Sequence, residues 1–323
     1  MLLLLALLAA ATPSLDEGDP PPDAHATASS DALVHLARIR ADEGDHEGAR
    51  ILLDQARERP GADLDAILYL EGIAWEFGGD PATAIARYEE GLERWPEGPN
   101  TKHRRFRKAE ALGTLGSPRE ALRALRRIRV SRLDDFDRRK YRLVEGVFLV
   151  DLGRSRRGLR RLHRWLERVP EDELTFYQGK ARAAIAREWS REAAALDLEV
   201  GERRQVRRLE ARARLLAAIE ALVTEIAHLE EPEWVLEGLL VLGDAYDRIG
   251  IDLRAHPRPP SLTSAQLELY EEEIGRRVET VWVKGLRAYQ MGLDLAGRVQ
   301  WEGRRVTALE EAAAELQARL EAR

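Results

Sequence analysis

Residues 65–96 read DAILYLEGIAWEFGGDPATAIARYEEGLERWP. Leu68, Gly72 and Trp75 fall four and three apart, and Ala84, Tyr88 and Gly91 repeat that spacing, so each set lines one face of a helix. Gly79 sits between them, where a left-handed helix end is wanted. Asp80-Pro81 then offers an N-cap followed by a first-turn proline, and Pro96 stops the second helix. The stretch therefore reads as two antiparallel helices crossing at Gly72. A larger side chain there would overpack the crossing, at a cost of ~1–3 kcal/mol.

The pattern recurs on both sides with a period a little above ~34 residues. Counting from residue 30, Leu33, Leu36, Ala37, Gly44, Ala49, Leu53 and Ala56 fit, with Pro60 one residue early. From residue 102, Ala109, Leu112, Gly116, Ala121 and Leu125 fit, while Arg105 and Lys108 do not. From residue 139, Gly146, Leu149, Gly153, Gly158, Leu162 and Pro170 fit, and Trp165 replaces a small residue. Val, Ile, Thr and aromatics are sparse, whereas Ala, Leu, Glu and Arg dominate, so the expected class is all-α.

Over residues 31–170 the chain resembles the tetratricopeptide repeat (TPR) family. That resemblance implies a right-handed superhelical solenoid, a concave groove lined by the first helix of each unit, and a role in holding other proteins. The Lys/Asn arrangement of the TPRs that bind chaperone tails is missing, since Val34 and Arg38 stand there. Recognition of a C-terminal carboxylate is therefore not expected.

Residues 171–230 read as a helical connector without the repeat's glycine, in two segments, 171–200 and 202–229, the second with Leu209, Leu216, Ile219, Val223 and Ile226 at helical spacing. Residues 231–323 read as a diverged TPR followed by long capping helices. Leu239, Leu242, Gly243, Tyr246 and Gly250 restore the first-helix pattern. A Pro-rich loop over residues 251–262 displaces the second helix, which Thr263 caps, and a last helix near residues 299–320 covers the open end. Leu242-Gly243-x-x-Tyr246, that loop, Leu262-Thr263-x-x-Gln266-x-x-x-Tyr270, and Lys284 ahead of Tyr289 are together similar to extracytoplasmic TPR proteins of bacterial gliding-motility and TonB/Tol-type envelope systems. Arg277-Val278-Glu279 stands where that group has an Ala-x-Pro step.

Residues 2–11, LLLLALLAAA, are too short to span a bilayer, which needs ~17–25 apolar residues. They end in small residues, as a signal-peptidase site requires. The expectation is a signal peptide over residues 1–11, a disordered Pro/Asp-rich linker over 12–30, and a secreted, periplasmic product. The chain has no cysteine, so disulfides, thiolate metal sites, a Cys nucleophile and a lipidated cysteine are excluded.

Charge is uneven. The chain carries −6 overall, but residues 101–170 hold 22 bases against 8 acids, while residues 12–100 hold 20 acids against 7 bases. The basic block offers an anion-binding surface of Arg104, Arg105, Arg107, Arg126, Arg127, Arg156, Arg157, Arg160 and Arg161. The alternative is a solvated arginine face balanced by its acidic neighbours. Nucleic acid is not expected as a ligand, because aromatic rings do not interleave with the arginines.

Groove-facing positions carry Arg38, Tyr69, Ile73, Phe77, Phe106, Glu110, Lys140 and Leu143. Tyr69, Ile73, Phe77 and Phe106 are expected to form an apolar strip edged with charge, which suits a peptide or helix. Packing of some of these into the core is the competing reading. No phosphate loop, dinucleotide fingerprint, serine elbow or HExxH is present. No catalytic residue, metal site, cofactor or small-molecule substrate is expected. These observations point to a non-enzymatic scaffold or adaptor in a periplasmic envelope complex, binding a protein partner with an acidic or helical segment. The alternatives are a peripheral binder of anionic membrane or cell-wall polymer through the basic repeats, and a cytoplasmic regulatory module.

Overall fold

The computed structural model describes residues 28–170, 172–196, 198, 202–255 and 262–322. The signal peptide and most of the linker expected from the sequence lie outside the described residues. The described residues form thirteen α-helices, one 3-10 turn (Val130–Arg132) and no strand.

The first eight helices are the four repeat units: α1 (Ser30–Asp42) with α2 (His46–Arg57), α3 (Leu64–Phe77) with α4 (Pro81–Arg94), α5 (Thr101–Thr114) with α6 (Pro118–Leu125), and α7 (Asp135–Asp151) with α8 (Ser155–Leu166). Asp45, Asp63, Asp80 and Asp134 cap α2, α3, α4 and α7 by accepting a backbone N–H three residues on. Gly44, Gly79, Gly116 and Gly153 all take positive φ in the turn inside each unit. The crossing predicted at Gly72 is filled by the ring of Tyr88, against which a Cβ at Gly72 would overlap. Gly146 meets Leu162 sixteen residues on in the same way.

The second half keeps the two helical segments expected over residues 171–230 and departs from the sequence reading in the loop placed at residue 251. The expected connector folds as another antiparallel pair, α9 (Thr175–Ala194) with α10 (Glu202–His228). Leu174 turns the chain into α9 with a left-handed backbone, φ 56°. Ala181, Ala184 and Ile185 join Leu143, Leu162, Ile219 and Val223 in one core, so α9 and α10 continue the stack. α11 (Pro232–Ala255) runs through residues 251–255, which the sequence reading placed in the Pro-rich loop, and residues 256–261 lie outside the described residues.

α12 (Ser264–Val299) opens with a capping box of Thr263 and Gln266. It packs against α11 through Gly243 and Tyr289, a repeat of the Gly72–Tyr88 lock across a longer connection. α13 (Arg304–Glu321) covers the end by laying Leu309 on Gly292 and Leu316 on Gly285. The first unit also begins earlier than the linker boundary implied. Ser29 caps α1, and buried Ser30 donates its hydroxyl to the Ala56 carbonyl at 3.1 Å.

Candidate functional site: the concave face

The first helices α3, α5, α7 and α9 stand side by side, and their facing side chains are joined by ion pairs. Arg107 Nε lies 3.1 Å from Glu76 and its Nη1 3.8 Å from Glu110. Glu110 also meets Lys140 at 3.1 Å and Lys180 at 2.8 Å. Farther along, Arg187 lies 3.7 Å from Asp151 and 2.6 Å from Glu237, and Arg305 of α13 reaches Glu237 at 2.9 Å and Glu233 at 3.1 Å.

Burial sets the electrostatics of this ladder. It opposes the Glu110 charge, but Lys180, Lys140 and Arg107 together overcome it and hold Glu110 below the ordinary carboxylate range. At Glu76 burial wins over Arg107 and over the hydrogen bond from Tyr88, so that carboxyl is raised. Tyr88 donates its hydroxyl to Glu76 at 2.7 Å. Its own ionisation is pushed far up by burial and by the Glu76 charge.

The groove residues expected from the sequence divide into two groups. Phe77 is 56% exposed, with the Arg107 guanidinium 4.7 Å over its ring and His46 stacked at 6.1 Å. Tyr69 is half-buried beside His103, at 6.1 Å. Ile73 is half-buried against the first core, and Arg38 is exposed on α1. Glu110 and Lys140 face the concave side, paired to each other.

Phe106 and Leu143 do not belong to the strip. Both are fully buried, Phe106 in the core of the third unit and Leu143 in the core shared by α7, α8 and α9. An apolar side chain one helical turn from a groove position is drawn into the seam where neighbouring units stack. Packing there removes apolar surface from water, about 25 cal/mol per Å2. The apolar strip is thus shorter than expected and consists of Tyr69, Ile73 and Phe77.

The basic residues divide as well. Arg104 is fully buried and not available to any anion. It binds the Asp65 side chain at 2.5 Å and the Asp65 carbonyl, and its stem crosses Gly91. It therefore joins the second unit to the third. Arg105 is half-buried, and Arg161 is half-buried and paired with Glu145 at 2.7 Å. Arg126, Arg127, Arg157 and Arg160 are exposed.

Sequence reasoning missed an aromatic rim along the N-terminal ends of α7, α9 and α11. Phe136 and Tyr177 lie 6.1 Å apart, Tyr177 and Phe176 5.5 Å, and Phe176 and Trp234 5.3 Å. Phe136 is 51% exposed. Lys140 sits 5.8 Å over Tyr177, and Lys180 5.9 Å over Trp234. The rim escaped notice because α7 begins four residues before the repeat register and α9 lacks the repeat's glycine pattern. The two signals that were available are the N-cap Asp134 just before Phe136 and the Phe176-Tyr177 doublet.

No family model matches the chain, and no curated protein matches it. Among solved structures it is similar to a tetratricopeptide repeat protein from Parabacteroides merdae, with 14% identity and a TM-score of 0.44 over 89% of this chain and 98% of that one. The arrangement described here rests on the helix pairs themselves: an all-α solenoid in which a small residue of one helix receives a large side chain of the next.

Proposed function

We propose that the protein is a non-enzymatic scaffold that holds a segment of a partner protein on its concave face. The observation that carries this reading is Phe77, the most exposed aromatic ring among the described residues. It stands at the end of α3 beside Tyr69 and Ile73, above side chains already fixed by ion pairs. A rigid aromatic anchor on a preorganised surface is what a binding hot spot requires. The ladder beneath it supplies alternating charge that sets the register of a polar or helical ligand.

The proposal extends to place and process. Residues 2–11 support export and a periplasmic location, and the Gly243–Tyr289 region supports kinship with envelope scaffolds. The test is crosslinking in the native cell followed by affinity purification of wild type and a Tyr69→Ala/Phe77→Ala variant. Envelope proteins recovered with wild type and reduced at least tenfold with the variant are the expected result, together with a mature chain starting at Thr12. Equal recovery with both proteins would remove the concave face from the account. Cytoplasmic partners and an intact leader would remove the periplasmic reading and leave a cytoplasmic module.

A further inference from the structure

A second surface lies between α7 and α8. It is a cleft of about 510 Å3 lined by seven arginines over a floor of Trp165 and Val169. Arg139 and Arg142 form one wall, and Arg157, Arg160 and Arg164 lead along the other toward Arg168. Arg139 is paired with Glu173 at 3.0 Å, and Arg161 with Glu145. The other five guanidiniums have no carboxylate partner among the described residues.

α8 reads SRRGLRRLHRWL, five arginines and no acid. Arg157–Arg161 and Arg160–Arg164 are like charges four apart, an arrangement that weakens a helix by about 0.2–0.5 kcal/mol per pair. The basic surface continues past Tyr141, whose hydroxyl is raised by burial and by Glu145 and pulled down by both Arg126 and Arg161. A smaller cleft of about 300 Å3 follows there, lined by Arg119, Arg123, Arg126 and Arg154.

We infer that the α7–α8 cleft is a docking site for an acidic, Asp/Glu-rich segment of a partner protein. The charge is complementary, and guanidinium forks take carboxylates in pairs. Guanidiniums from both α7 and α8 line the cleft, which suits a single chain lying between the two helices, whereas a bilayer presents a plane. From Arg157 to Arg164 the α8 wall rises about 10 Å, which matches roughly three residues of extended chain. Nucleic acid fits less well, because Trp165 is only 5% exposed and its Nε1 donates to the Arg139 carbonyl at 2.9 Å. No ring face is left there for a base to stack on.

This site does not depend on the concave face. Lys140 of the ion-pair ladder and Arg142 of the cleft are two residues apart, and so leave α7 in directions about 200° apart. The test is fluorescence anisotropy of a labelled decaglutamate peptide with the full chain. The expected result is binding at about 50 mM salt that weakens at least tenfold by about 300 mM, since screening shortens the reach of each charge. Arg160→Glu/Arg164→Glu, checked for an unchanged helical spectrum, should lose binding at least tenfold, and the milder Arg160→Gln/Arg164→Gln should lose less. Phe77→Ala should bind as wild type does. Failure of the peptide to bind, or equal binding by the Glu variant, overturns the proposal. So does tight binding of phosphatidylglycerol vesicles or oligothymidylate that decaglutamate cannot displace.

Discussion

Single residues decide whether the repeat units hold together, and two of them contradict what their charge suggests. Arg104 belongs to a run of basic residues, yet it is buried and bound to Asp65. Its stem crosses Gly91, a residue the repeat pattern placed on the face of α4 without showing what packs there. The partner Asp65 lies thirty-nine residues away, which no local pattern reports. Glu110 is the sharper case, a carboxylate shared by three cations from α5, α7 and α9. Its pKa is depressed on folding, so it contributes stability above the ordinary value of 4.5 and loses that contribution as pH falls. Glu110→Gln should cost about 3 kcal/mol at neutral pH, because Lys140 and Lys180 lose their partner. The gap between wild type and variant should close as urea titrations move below pH 4.5. Glu76 acts in the opposite sense: burial raises its pKa, so its contribution is lost as pH rises. A Glu110→Gln penalty that stays constant from pH 7 to the acid limit would contradict the assignment.

At the scale of elements, the four N-terminal pairs were readable because the turn glycines Gly44, Gly79, Gly116 and Gly153 recur in register, with small residues at the crossings. Asp80-Pro81 and Gly79 together fix where α4 starts, and Gly72 fixes what faces it. The α9–α10 pair was not readable as a pair, since Ala181, Ala184 and Ile185 pack closely without a glycine signal. α11 and α12 were readable from the Leu239-to-Gly250 pattern and the Thr263 cap, but not the contact between Gly243 and Tyr289, forty-six residues on. That lock gives a clean contrast within one helix. Gly243→Ala would drive a Cβ into the Tyr289 ring and should destabilise by about 1–3 kcal/mol. At Gly238 an added Cβ meets its neighbours at an ordinary 3.4 Å, so Gly238→Ala should be neutral or stabilising by up to about 1 kcal/mol. Thermal melts of the two variants check this, and equal destabilisation would mean that the Gly–Tyr lock does not hold α12.

Across the whole molecule, the stack curls until the start of α13 approaches the end of α5. Arg304 Nη1 lies 3.5 Å from the Thr114 carbonyl, 190 residues away in sequence. Arg305 beside it ties α13 to Glu237 and so to the second ion-pair group, with Arg187 and Asp151. A concave face whose helices are cross-linked by ion pairs can present a ligand surface without large rearrangement, which lowers the ordering cost of binding. The groove composition was legible only in part. Tyr69 and Phe77 were identified by position, whereas Phe106 and Leu143 were lost to the core because stacking of neighbouring units is not visible in one repeat. The central claim is that a partner segment lies on this face at Phe77. It is tested most directly by placing a photo-crosslinking side chain at position 77 in the native cell, with the exposed Val206 position on α10 as control. The account predicts one dominant partner captured from position 77 and absent from position 206. The same set of proteins from both positions, or none from position 77, would contradict it.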